Sequence, residues 1–179
     1  MKKNLYFIFY ILLFMFVSNI VFAQKVKTIE DEFNGTKYFE TSSFIVAYDW
    51  NYSIEIRLKT GNGNTNIYVE VAVATGANNF FTVSKNHYVL LKFEDDSILS
   101  LNYDGYISQK GKTFGYMGSL GEAIRALALY NNQTMKNLTM IRVETDKGFL
   151  NLKVSKGNAK KLVESFNNLK KEIDKFYNQ

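Results

Sequence analysis

The chain has 179 residues, of which 46% are apolar and 22% charged, with no cysteine, no proline and a single histidine. That length builds one domain with a sizeable core, and the composition is too apolar and aromatic for disorder. The missing cysteines exclude disulfide scaffolds, thiol nucleophiles and thiolate metal sites, and one histidine excludes any site with two imidazole ligands.

Residues 1–23 read as a secretory signal. Lys2 and Lys3 make the basic leader, Leu5 to Val17 is an unbroken apolar run, and Val21-Phe22-Ala23 places small residues at the −3 and −1 positions of a cleavage site. Gln24 is then the mature N-terminus. Retention as an anchor is the alternative, because the apolar run resumes up to Phe22, close to the roughly 20 residues that a span needs. After cleavage no stable membrane span is expected, and the chain belongs in the periplasm or outside the cell. Without Lys2 and Lys3 the 22 basic groups fall to 20, against 17 acids. Six of those basic groups and three of the acids lie from Lys156 onward, so the body balances at 14 against 14. The basic character belongs to the leader and the tail, which argues against nucleic acid as a partner.

Strands dominate the mature chain. Phe44–Tyr48 is expected as a strand. Tyr52, Ile54, Ile56 and Leu58 alternate with Ser53, Glu55, Arg57 and Lys59, the period of a half-buried strand. After the polar loop Gly61–Asn66, alternation resumes at Ile67, Val69, Val71 and Val73, predicting a hairpin. Further strands are expected at Phe80–Ser84, Tyr88–Glu94 and Ile98–Tyr103. Met140–Thr145 and Phe149–Val154 flank Asp146-Lys147-Gly148, a turn with glycine available for positive φ. The segment 119–131 is ambiguous: Ser119 and Glu122 match a capping box, whereas Ile124, Ala126, Ala128 and Tyr130 suit one face of a strand, the preferred reading. A short helical turn is expected around Thr134–Leu138. Leu162, Phe166, Leu169, Ile173 and Phe176 recur at spacings of 4, 3, 4 and 3, one stripe of an α-helix at about 159–177, with Asn158 as its N-cap.

The expected fold is therefore mainly β with a C-terminal α-helix. It is an antiparallel β-sandwich or a partly open barrel, covered by the amphipathic helix. The order of elements is similar to that of a pleckstrin-homology-like domain, and that resemblance implies a fold, not a function. Residues 24–179 form a single domain.

The chemistry candidates are few. Gly111-Lys112-Thr113 is not a phosphate-binding loop, because the position that must be glycine is Tyr106. The loop from Gly105 to Gly121 interleaves glycines with Tyr106, Phe114, Tyr116 and Met117, flexible backbone carrying aromatic and thioether contact groups. Tyr48, Trp50 and Tyr52 fall at alternate positions and would form an aromatic platform if their strand is continuous. An Asn51-Tyr52-Ser53 turn would break it. His87 is read as structural, and Glu94, Asp95, Asp96 and Asp104 as hairpin-turn acids rather than a calcium loop. No metal and no cofactor are expected. The function expected is a non-enzymatic exported module binding a protein or a cell-envelope component, with Tyr106, Phe114, Tyr116, Met117 and Trp50 as contact residues. The alternatives are a small glycan hydrolase using two carboxyls, or a structural or inhibitory protein.

Overall fold

The computed structural model describes residues 25–33, 35–49, 52–61, 63–75, 81–84, 86–103, 107–108 and 124–177. Among these residues ten strands join in one antiparallel sheet that is not closed into a barrel. They are β1 (Val26–Glu30), β2 (Lys37–Thr41), β3 (Phe44–Tyr48), β4 (Tyr52–Thr60), β5 (Ile67–Thr75), β7 (Tyr88–Phe93), β8 (Ile98–Tyr103), β10 (Ile124–Leu129), β11 (Leu138–Thr145) and β12 (Gly148–Lys153). Their order is β1-β2-β4-β5-β10-β8-β7-β11-β12, with β3 paired to β4 beside β2. The short strands β6 (Thr82–Val83) and β9 (Ile107–Ser108) pair separately. Among the described residues a single helix, α1 (Lys156–Tyr177), packs on the sheet.

Period-2 patterning decides which face turns inward. Ile54, Ile56 and Leu58 of β4 lie opposite Val73, Val71 and Val69 of β5, and all six are fully buried. The predicted hairpin thus forms in the register that puts these six side chains on one face. Thr60 pairs with Ile67 across its loop, and Gly63 there has φ +66°, a conformation open to glycine without strain. The second predicted turn closes between Thr145 and Gly148, and Gly148 has φ +104°.

β4 is shared along its length. Its first half pairs with β3 from Ser53 to Ile56, and its second half meets β2 at Glu40↔Lys59. Around that junction threonine hydroxyls replace backbone partners: Phe39 N–H donates to Thr60 Oγ1 at 2.9 Å, and Leu58 N–H to Thr41 Oγ1 at 3.1 Å. Both threonines are buried, so these two main-chain donors keep partners where the strands diverge. In β3 a bulge between Ile45 and Ala47 turns both Val46 and Ala47 inward.

The helix covers the inner face. Leu162, Phe166, Leu169 and Ile173, the predicted stripe, are buried, each worth about 1.5–3 kcal/mol of apolar transfer. Phe176 ends the stripe at the surface, with its ring edge-on to Phe39 at 5.5 Å. The cap differs from expectation. Ser155 Oγ accepts the N–H of Asn158 at 3.2 Å, so Ser155 is the N-cap and the helix begins three residues earlier. Asn158 instead bonds outward, where its side-chain amide donates to the Val46 carbonyl at 3.0 Å and pins the first turn to the β3 bulge.

Within the ambiguous segment, Ile124–Leu129 is a strand between β5 and β8, while residues 119–123 lie outside the described residues. The helical turn expected near Thr134–Leu138 is absent. Bends at Gln133 and Thr134 lead into Met135, whose buried side chain anchors the connection, and Leu138 already opens β11. Nor is the Gly105–Gly121 stretch wholly loop, since Ile107–Ser108 pair with Thr82–Val83. Among the described residues no helix is long and apolar enough to cross a membrane.

Candidate functional site

The contact residues expected from the sequence, Trp50, Tyr106, Phe114, Tyr116 and Met117, lie outside the described residues, as does Gly111-Lys112-Thr113. The flanks of Trp50 are described, and they show the chain reversing. Asp49 N–H donates to the Tyr52 carbonyl at 2.9 Å, and Tyr52 N–H to Asp49 Oδ1 at 2.7 Å. Tyr48 therefore ends β3 while Tyr52 begins β4, and no continuous strand carries both. Tyr48 stands out in solvent, whereas the Tyr52 ring leans on Phe81 at 6.2 Å.

His87 and the hairpin acids hold turns. His87 Nδ1 accepts the Ser84 N–H at 3.2 Å, while His87 N–H donates to the Ser84 carbonyl at 3.0 Å. Glu94 accepts both the backbone and side-chain N–H groups of Asn137, which lower its pKa. Hydrogen bonds from Lys136 and Ser97 bring the Asp95 carboxyl down to about 2, and Asp96 pairs with Lys92 at 2.7 Å. Asp104 lies outside the described residues. Among the described residues no three acids or histidines gather as a metal site.

Two surface concavities are lined by described residues. The first lies on the outer face of β1, β2, β4 and β5 and encloses about 680 Å³. Beneath it runs a charge network. Glu70 Oε1 accepts from Arg57 at 2.6 Å and Arg125 at 2.7 Å, its Oε2 from Lys59 at 2.6 Å, and Arg57 also reaches Glu40 at 2.8 Å. Strand register makes this network: Arg57 sits directly opposite Glu70, and Lys59 opposite both Glu40 and Tyr68. Burial alone would raise the pKa of Glu70, but hydrogen bonds from Lys59 and Arg57 outweigh it and hold the carboxyl below its ordinary range. Glu40 and Glu70 are thus two carboxylates on one guanidinium. A glycosidase pair needs one carboxyl protonated and the other ionised, and Glu70 is held in the ionised form.

The second concavity, about 400 Å³, opens at the C-terminal end of α1. Its floor is Tyr130 and Phe166, both buried, with rings edge-on at 5.5 Å. Tyr130 is held from both ends, its N–H on the Ile67 carbonyl at 2.8 Å and its hydroxyl on the Thr134 carbonyl at 3.0 Å. The rim is made of amides: Asn66 from the β4–β5 loop, and Asn131, Asn132 and Gln133 from the β10–β11 connection. Lys170, Asp174 and Tyr177 of the last helical turns complete it. Lys170 Nζ donates to the Gln133 carbonyl at 3.0 Å and to its side-chain oxygen at 3.3 Å. The side chains of Asn66, Asn131, Asn132 and Asp174 make no hydrogen bond or ion pair among the described residues.

The contact residues expected from the sequence do not include this pocket. Its local signal is the run Asn131-Asn132-Gln133 directly after a buried aromatic, together with the tail stripe, whose C-terminal end has to lie against some loop. The facing Asn66 comes from a much earlier loop, and only the β5–β10 pairing brings the two together. Compared with protein families, with characterised proteins and with solved structures, the chain matches none, so the pocket's geometry carries the functional argument.

Proposed function

We propose that the protein is an exported, non-enzymatic binding module that recognises a protein or cell-envelope component through the pocket at the end of α1. The observation that carries this reading is the pairing of a fixed aromatic floor with polar side chains that lack partners among the described residues. Folding leaves those amides with their hydrogen-bonding capacity intact inside a concavity, where a ligand can use it. Residues 1–23, with their basic leader and apolar run, support an address in the periplasm or outside the cell. The near-equal charges of the body supply no phosphate-tracking surface, which supports a partner other than nucleic acid.

Thermal unfolding of the purified protein with soluble peptidoglycan fragments, oligosaccharides and envelope proteins tests the reading. A ligand at a hundred times its Kd raises stability by about 2.7 kcal/mol, a readily measured shift. The shift is expected to fall by about half or more in Asn132→Ala and in Tyr177→Ala, which keep the melting temperature of the unliganded protein. A ligand-induced shift that both substitutions leave unchanged would place binding elsewhere.

A further inference from the structure

Resting on that reading of the pocket, we infer that its ligand is an uncharged, hydroxyl-rich molecule, a neutral saccharide of one or two rings. Electrostatics disfavours an anion. Lys170 and Asp174 are the charged side chains of the lining, and they cancel. The ammonium of Lys170 is already turned to two oxygens of Gln133. Asp174 and Tyr177 belong to the last turn of α1, whose final four carbonyls have no intrahelical N–H and carry the negative end of the helix dipole. An anion entering here would meet that end and the Asp174 carboxylate together. A hydroxyl, by contrast, donates to carbonyls and carboxylates and accepts from amide N–H groups.

The amides point the same way. Each free Asn side chain offers an acceptor and two donors in one plane, and Asn66 and Asn132 approach the pocket from opposite loops. Vicinal hydroxyls, each both donor and acceptor, satisfy such a set without a change of protonation. Tyr177 is 41% exposed at the mouth, its ring braced edge-on by Phe176 at 5.0 Å. A braced aromatic face suits the C–H side of a sugar ring, and a volume near 400 Å³ sits at the small end of small-molecule pockets.

The test is a titration of the ¹⁵N-labelled purified protein, reading the side-chain NH₂ signals of Asn66, Asn131 and Asn132. The probes are N-acetylglucosamine, cello-, xylo- and malto-oligosaccharides, a hexuronate oligomer and a lysine-rich peptide. A neutral oligosaccharide is expected to move these signals in a saturable way, with binding weakened about tenfold or more in Asn132→Ala and in Tyr177→Ala. Arg125→Gln on the outer sheet face is expected to leave that affinity unchanged. If the hexuronate or the peptide moves the signals and no neutral sugar does, the saccharide inference is overturned while the pocket stays a binding site. Silence from every probe overturns the saccharide inference, and only silence of the envelope proteins in thermal unfolding as well overturns the pocket.

Discussion

The two concavities differ in what folding does with their polar groups. On the outer sheet face, three cations and two carboxylates are joined through strand register, and Glu70 is 5% exposed. At the end of α1, three asparagines and an aspartate surround a concavity without partners among the described residues. The first region is larger, carries more charge and has a perturbed carboxyl, features that often mark an active site. Yet its charges are answered within the chain, so a ligand there would have to displace Arg57, Lys59 or Arg125 from Glu70. Charge density alone is a poor guide to function; the more informative quantity is hydrogen-bonding capacity left over after folding. One region fastens strands to one another, and the other is open to a ligand.

Phe166 is where that division breaks down, because it belongs both to the core and to the pocket floor. Phe166→Ala is expected to lower stability by about 3–5 kcal/mol, read from the denaturant midpoint, and to abolish ligand binding at the same time. Glu70→Gln separates the regions. It leaves Arg57 and Lys59 facing a neutral amide, and a loss of about 1–3 kcal/mol is expected, moderated because the cations are a quarter or more exposed to solvent. Ligand affinity should not change. The pH dependence has a definite sign. Glu70 has a lower pKa folded than unfolded, so its contribution is present above the ordinary carboxylate value of 4.5 and is lost as pH falls through the lowered folded value. Unfolding curves across that acid window should therefore fall less steeply in Glu70→Gln than in the parent. An equal slope would mean that Glu70 is not the ionised anchor of the network.

Arg125→Gln sharpens the comparison on a smaller scale. Arg125 shares Glu70 Oε1 with Arg57, and its side chain is 58% exposed. Two cations remain on Glu70 after the substitution, so the expected loss is about 0.2–1 kcal/mol and shrinks further in high salt. A loss as large as that of Glu70→Gln would show that the outermost cation, rather than Arg57, holds the cluster.

The outer network is half legible in the sequence. Arg57 and Lys59 stand out on the polar face of β4, and the hairpin register across Gly61–Asn66 sets Glu70 opposite Arg57. Glu40 is not legible, since β1 and β2 show no clear alternation and β2 meets β4 through two threonine hydroxyls more than through a backbone ladder. The helix stripe is legible because a spacing of 4, 3, 4 and 3 has no competing explanation. Its cap is not, because Ser155 and Asn158 are both good capping residues, and only the β3 bulge decides that Asn158 bonds outward to Val46. The aromatic contact residues rest on composition, a local property. The amide pocket depends on loops whose proximity is set by the order β4-β5-β10 and by where α1 ends, and no local pattern encodes that.

The smallest expected effect is the one on which the comparison turns. Asn132 is exposed, lies outside any helix or strand, and has no side-chain partner among the described residues. Truncating it removes no packing and strands no buried donor, so Asn132→Ala should shift the denaturant midpoint by no more than about 0.5 kcal/mol. An asparagine that mattered to the fold would behave otherwise: had it capped a helix or closed a turn, its loss would cost about 1 kcal/mol. Affinity is expected to fall while stability stays fixed, the reverse of Glu70→Gln. If Asn132→Ala instead unfolds as readily as Glu70→Gln, the amide rim is part of the scaffold, and the distinction between a fastened region and an open one fails at the place where it was drawn.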